Sequence, residues 1–201
     1  GDDILPPLLV TFGLSVIIQN ALLEVYSADP QKMSVGVMET ASISLPGGLN
    51  IGVLPLMMFI TAIVVIGGLQ WIFYRSGWGR AFRATSDNQD IAQLMGLNKS
   101  HVFGLAMALA LVVVAIAGIF LGVRTSFDPA AGPSRLIFGF EAVIIGGLGN
   151  LWGTLVGGII LGVSQNIGAQ INPGWQLLAG HIAFLVILAI RPRGLFPRMD
   201  G

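Results

Sequence analysis

The sequence predicts an all-α, polytopic membrane helical bundle, with one structured loop at a membrane surface and one short or broken membrane segment. Composition and pattern carry that reading. Of the 201 residues 54% are hydrophobic and only 10% charged, with a mean hydropathy of +0.83; a soluble core of this size carries roughly a quarter charged residues. Apolar blocks long enough to cross a bilayer alternate with polar stretches, which places spans at about 4–23, 53–74, 102–123, 135–148 (short), 151–167 and 175–190 of a single transmembrane domain covering 1–201. The longest polar run, 75–101, sits between the second and third spans.

The balance of charge is zero, which gives no footprint for nucleic acid. There is no cysteine, so disulfides and Cys-ligated metals are excluded. Twenty-eight glycines favour close helix–helix contact. The chain opens at Gly1-Asp2-Asp3 without methionine or a basic leader, and reads as an internal part of a longer protein.

In order, Ile4 to Leu23 forms the first span, with Pro6 and Pro7 tolerable in a first helical turn and Gln19 and Asn20 at its polar exit. Glu24 to Asn50 is mixed. Its Val35–Leu45 part alternates imperfectly and reads as a short β-ribbon turning at Pro46-Gly47-Gly48. Pro55 lies just inside the second span, Val53–Tyr74, which closes with the interfacial aromatics Trp71, Phe73 and Tyr74.

The 75–101 loop has internal structure. Gly77 and Gly79 are expected to break the chain ahead of a basic, partly apolar lead-in of Arg80, Phe82 and Arg83. Ser86 and Gln89 have capping-box spacing, and Asp87 and Asp90 add negative charge to a first turn. Ile91, Leu94 and Met95 fall on one face at i, i+3, i+4, and Gly96 stands where a helix ends in a left-handed residue. The expected element is a short amphipathic helix from about Asp87 to Met95.

Val102–Val123 forms the third span, with Gly118 and Gly122 as a small-xxx-small packing face. Arg124–Ser134 is a polar loop. Arg135–Leu148 is apolar, carries Glu141, and at 1.5 Å per residue covers only about 21 Å of a roughly 30 Å core. Leu151–Ile167 follows, with Gly149, Gly153 and Gly157 spaced by four and Gly158 and Gly162 spaced by four again. Asn172-Pro173-Gly174 turns the chain into Trp175–Ile190 and a basic tail.

Orientation follows from the cations. With the 75–101 loop and the tail inside, seven lie there (Arg75, Arg80, Arg83, Lys99, Arg191, Arg193, Arg198) against three outside (Lys32, Arg124, Arg135). Parity then requires the short segment to cross, sunk within protein. Glu141 inside it either faces a pathway, or lies near the surface or pairs with Arg135. His101 reads as an interface residue and His181 as a packed or pore-facing one. No phosphate loop, H-E-x-x-H or G-x-S-x-G occurs; neither catalysis nor a cofactor nor a metal is expected.

Three ordered stretches resemble one family. Gly79–Asn98 (GRAFRATSDNQDIAQLMGLN) resembles the motif GRA-RA-----A--MGIN of branched-chain amino-acid ABC transporter permeases. Val143–Gly158 (VIIGGLGNLWGTLVGG) is similar to their glycine-rich VLGGIGS--GA--GG, and Arg191–Phe196 (RPRGLF) to their RP-GLFG. The LivH type is the nearest, and its usual N-terminal third has no counterpart here. The resemblance implies a multi-pass permease of the bacterial cytoplasmic membrane. Its implied partners are a second permease subunit, ABC ATPase subunits, a periplasmic binding protein, a small amino-acid substrate and membrane lipid. It makes 75–101 the coupling element on the ATPase, with Arg80, Arg83, Ala84, Asp87, Asn88, Asp90, Ala92, Met95 and Gly96 as its residues. It leaves Glu141, Gly146, Gly147 and Gly149 for the translocation path. Charge reversal at Arg83, or bulk at Gly96, is expected to uncouple transport. Asn150-Leu-Trp152 departs from the small residues many members carry, and related permeases move urea, amides and other amino acids. The alternative is a secondary transporter or channel using Glu141, which predicts an inverted repeat that the sequence does not show.

Overall fold

The computed structural model describes residues 5–44, 46–48 and 50–197; Ile4, at the expected start of the first span, and Arg198, in the inside charge tally, lie outside them. Among the described residues the chain forms eight α-helices: α1 Leu5–Tyr26, α2 Val53–Arg75, α3 Gly77–Asp87, α4 Gln89–Leu94, α5 Lys99–Arg124, α6 Gly132–Gly146, α7 Leu151–Ile171 and α8 Gln176–Ile190. Five stretches within these are long and apolar enough to cross a membrane: Leu9–Tyr26, Val53–Arg75, Lys99–Arg124, Leu151–Ile171 and Pro173–Ile190, the last including a 3-10 turn ahead of α8.

Between α1 and α2 the expected ribbon is only partly formed. Gly36–Glu39 is a 3-10 turn instead, entered through Gly36 at φ +63°. The Glu39 carboxylate holds it, accepting from Lys32 Nζ at 2.6 Å and from Val35 N at 3.1 Å. Pairing starts later, with β1 Ser42–Ser44 antiparallel to β2 Asn50–Gly52 and Ile43 opposite Ile51. Gly47 and Gly48 in the connecting turn take positive φ. Across the same end, Gln31 and Phe127 exchange backbone hydrogen bonds of 2.8 Å, tying the α1–α2 connection to the α5–α6 loop.

The short segment is real and begins earlier than expected. α6 starts at Gly132 with Pro133 in its first turn, so the preceding loop ends before Ser134. It stops at Gly146 because Gly147 takes φ +100°. Its fifteen residues rise about 22 Å, short of the hydrocarbon core.

The core lies where α6, α7 and α8 meet. Ile145 and Leu161 are buried there, and so are Gly146, Gly153, Gly157, Gly168 and Gly180. The glycine spacing therefore works on one face only. A Cβ on Gly146, Gly153 or Gly157 would collide with the backbone of the facing helix, whereas Gly118, Gly158 and Gly162 look onto open space. Gly122 packs on Phe127 and Met33, which come from loops rather than from a helix. Most outward side chains elsewhere are large and apolar, and no side chain described on α1 is buried.

Candidate functional site

The 75–101 segment is a helical elbow built on the end of α2. Ser76 starts it: its hydroxyl accepts from Gly79 N at 3.1 Å and donates to the Ile72 carbonyl at 2.5 Å. Gly77 and Gly79 do not break the chain; they sit inside the first turn of α3. Glycine is needed at 79 because α3 folds back so tightly that a Cβ would meet the Phe73 and Ile72 carbonyl oxygens. Phe82 packs on Phe73 with ring centroids 5.4 Å apart. The Arg83 guanidinium donates to the Phe73 carbonyl and lies 5.4 Å over the Tyr74 ring. Thr85 is buried. On the far side Trp78 meets His101 of α5 at 6.0 Å.

The cap of the following helix is Asn88, not Ser86. Ser86 lies in the last turn of α3, and Asn88, extended at φ −156°, accepts from Asp90 N and Ile91 N at 3.0 Å each. An Asn side chain closing the first turn directly competes well with the longer Ser–Gln box. The expected helix 87–95 is thus α4, Gln89–Leu94, with Met95 as its C-cap and Gly96 left-handed at φ +86°. Ala92 is its buried contact.

Beside the buried Ala92 the apolar residues of this helix stand out from the chain: Ile91 is 59% exposed, Leu94 87% and Met95 80%. Of the residues expected to act here, Arg80, Ala84, Asp87, Asn88, Asp90, Met95 and Gly96 are exposed, Arg83 is half-buried and Ala92 is buried. Arg83 and Ala92 therefore hold the elbow in shape, and Asn88 caps it. Ile91 and Leu94 belong with the outward group; their i, i+3 spacing with Met95 was the signal.

A cleft of about 1130 Å³ opens between α2, α3, α5 and the α6–α7 turn. Its walls are apolar for most of their length, with Val65, Ile66 and Leu69 of α2 facing Val113, Ile116 and Phe120 of α5. Polar groups gather at one end, where Gln70, Arg83, Ser86 and Asp87 stand with Gly149, Asn150 and Thr154.

That end is braced by the tail. Leu195 N and Phe196 N donate to the Ile145 and Gly146 carbonyls at 2.8 and 3.1 Å. Asn150 caps α7 by accepting from Gly153 N at 2.9 Å, and its Nδ2 donates to the Phe196 carbonyl at 3.2 Å. Gly194 and Gly147, both at positive φ, allow the two backbones to touch. The glycine-rich stretch and the RPRGLF stretch are thus two halves of one clasp.

Four residues had been expected to share a path, and they separate. Gly149 lines the cleft, whereas Gly146 and Gly147 are packed backbone to backbone inside the clasp. Glu141 points elsewhere, between α6 and α8. It is 6% exposed and its Oε1 lies 2.5 Å from Nδ1 of His181, not near Arg135. Its Oε2 is buried with no hydrogen-bond partner among the described residues. His181 also stacks on Phe138, with centroids 5.6 Å apart and planes 8° from parallel.

Apolar helices of spanning length, sunk glycine contacts and a capped elbow define a multi-pass α-helical membrane protein. Residues 5–190 match the family model described as the permease component of the branched-chain amino acid transport system, and the chain belongs to that family. It is 26% identical over its whole length to the high-affinity branched-chain amino acid transport permease BraD of Pseudomonas aeruginosa, spanning 66% of that protein. It is 29% identical over 132 residues to the permease LivH of Escherichia coli, an alignment covering 64% of this chain and 43% of LivH. The fructose import permease FrcC of Rhizobium meliloti is 30% identical over 92% of this chain and 54% of its own. No solved structure matches.

Proposed function

We propose that this chain is the membrane-spanning permease part of an ABC importer for branched-chain or related amino acids, in the cytoplasmic membrane of a bacterium. ATP is hydrolysed by a separate subunit that docks on α3 and α4, so the chain is not itself an enzyme. The observation that carries the coupling role is the exposed Ile91–Leu94–Met95 face. In water it needs a cover, and it sits on an elbow anchored to two membrane-length helices, α2 and α5. A short helix in a hydrophobic groove is a recurrent docking mode. Movement of the elbow reaches the cleft directly, because Arg83, Ser86 and Asp87 belong to both.

The cleft supports the choice of cargo. Aliphatic walls of Val, Ile and Leu suit an apolar side chain, while a sugar's hydroxyls would lose hydration there without enough partners. The polar end supplies amide, hydroxyl and charged groups for an ammonium and a carboxylate. Gly149, Asn150 and Trp152 line the cleft as well.

The test is transport. The complex is isolated from its host through this chain and reconstituted with its binding protein, and labelled leucine uptake is followed with and without ATP. ATP-dependent uptake, reduced by excess isoleucine or valine and unaffected by fructose, supports the reading. Uptake driven by an ion gradient without ATP contradicts it. Competition by urea or acetamide in place of valine keeps the permease role and changes the cargo.

A further inference from the structure

Among the described residues, the lining of the cleft between α2 and α5 carries one acid, Asp87, and one base, Arg83. They stand four residues apart on α3, on one face of the helix and separated by about 6 Å along it. Opposite charges at that spacing attract, yet these two do not pair. The Arg83 guanidinium turns back to the Phe73 carbonyl and the Tyr74 ring. The Asp87 carboxylate has no hydrogen-bond or ion-pair partner among the described residues. The polar groups across from it are committed elsewhere. The Asn150 amide is used at both ends, on Gly153 N and the Phe196 carbonyl, and the Thr154 hydroxyl donates to the Asn150 carbonyl.

We propose that Asp87 receives the ammonium group of an amino-acid cargo at the polar end of the cleft, with the cargo's carboxylate toward Arg83 and its aliphatic side chain along the α2 and α5 walls. The proposal rests on the permease and cargo reading above. A guanidinium has more N–H donors than the Phe73 carbonyl uses, so Arg83 fastens α3 and still offers bonds to a carboxylate. Two opposite charges one helical turn apart, left unpaired above apolar walls, match a zwitterion with an aliphatic side chain. The consequence is a narrower cargo class, one that requires a free α-ammonium. Urea, simple amides and fructose bring no cation to Asp87. An aliphatic acid without the amino group brings only a like charge, which disfavours it. Asp87 also directly precedes Asn88, the cap of α4, so the group that reads the cargo stands on the elbow itself.

The test reads binding by the whole permease–ATPase complex, purified from its host without the binding protein, whose own selectivity would otherwise set the outcome. Labelled leucine and labelled 4-methylpentanoate, which is leucine without its amino group, are each titrated by equilibrium dialysis. The unmodified complex should bind leucine at least about tenfold more tightly, the low end for a hydrogen bond to a charged group. Asp87→Asn should weaken leucine but not 4-methylpentanoate, bringing the two to within about twofold of each other. Asp87→Glu should keep the preference. A purely structural role for Asp87 would weaken both ligands alike and leave their ratio unmoved. An unchanged ratio or loss of both ligands in Asp87→Asn overturns the inference. So does an unmodified complex that imports leucine with ATP and yet binds none in dialysis. A complex with no ATP-dependent amino-acid uptake at all instead sinks the permease reading on which the proposal rests.

Discussion

Gly157 and Gly158 are neighbours on α7, and the structure assigns them opposite responses to the same added methyl group. A Cβ on Gly157 would fall well inside van der Waals contact with the Ala142 carbonyl oxygen, 3.0 Å from Gly146 N and 3.1 Å from the Ala142 carbonyl carbon. All three are backbone atoms and cannot rotate away. α6 and α7 must then separate by on the order of 1 Å, which forfeits a quarter to a half of each dispersion well along the seam. Overpacking of this kind costs about 1–3 kcal/mol, against a helix-propensity gain of about 0.5–1 kcal/mol for alanine over glycine. At Gly158 nothing lies within 4 Å, so only the gain remains. The gain is common to both variants, so they should differ by the overpacking cost alone, about 1–3 kcal/mol, and for the middle of that range at roughly 2–4 °C per kcal/mol for a chain of this size by about 4–8 °C. The assay is detergent size-exclusion chromatography after heating, reading the temperature at which half of the monodisperse peak is lost. Gly157→Ala should fall below the parent and Gly158→Ala should equal or exceed it. Equal midpoints would refute the argument that glycine is kept at 157 for backbone approach.

Asn150→Ala removes both the α7 cap and the brace to Phe196, and should cost about 1–2 kcal/mol by loss of the cap alone; the same heating assay reads it, and Asn150→Asp, which keeps the cap, should lose less. Leu94→Asp and Met95→Asp change side chains that are mostly exposed, so the heating midpoint should stay within about 2 °C of the parent, the shift expected of surface changes within ±0.5 kcal/mol, while ATPase recovery with the chain falls. Arg83→Glu is a less clean test, because Arg83 also fastens α3 to the Phe73 carbonyl; it should lower both the midpoint and transport. Glu39 titrates below its ordinary value of 4.5, chiefly through the Lys32 hydrogen bond and next through Val35 N. Because its folded value is depressed, the support it gives the 36–39 turn is present above about 4.5 and lost as pH falls through the lowered value. Lys32→Met should raise the Glu39 titration, followed by carbonyl-carbon NMR, toward the ordinary value.

Much of the fold was legible because membrane spans are written in composition: a run of some twenty apolar residues has few alternatives. The short segment was legible for the same reason, by being too short. The elbow was legible as an amphipathic pattern, but its true start was not. Ser86–Gln89 and Asn88 offer competing caps two residues apart, and only the extended backbone at Asn88 decides between them. Gly77 and Gly79 looked like breakers since local propensity speaks against glycine in a helix; the close approach of α3 to the Phe73 carbonyl is a tertiary fact that overrides it. The partner of Glu141 was illegible in the same way. Arg135 is near in sequence, whereas His181 is forty residues on, and only the packing of α6 beside α8 brings them together. The clasp between RPRGLF and the glycine turn shows the converse, two stretches noticed separately that turn out to be one piece of structure.

Docking of an ATPase on the α4 face is directly testable, because none of the 201 residues is a cysteine. A single cysteine at Leu94, 87% exposed, is cross-linked in native membranes with a short thiol-reactive reagent, with a cysteine at Leu111 as the control. The expected result is a covalent adduct with a nucleotide-binding subunit from Leu94 and none from Leu111, with the yield changing between ATP-bound and nucleotide-free membranes. An ATPase that co-purifies but is never captured from Leu94, or is captured equally from Leu111, would contradict it.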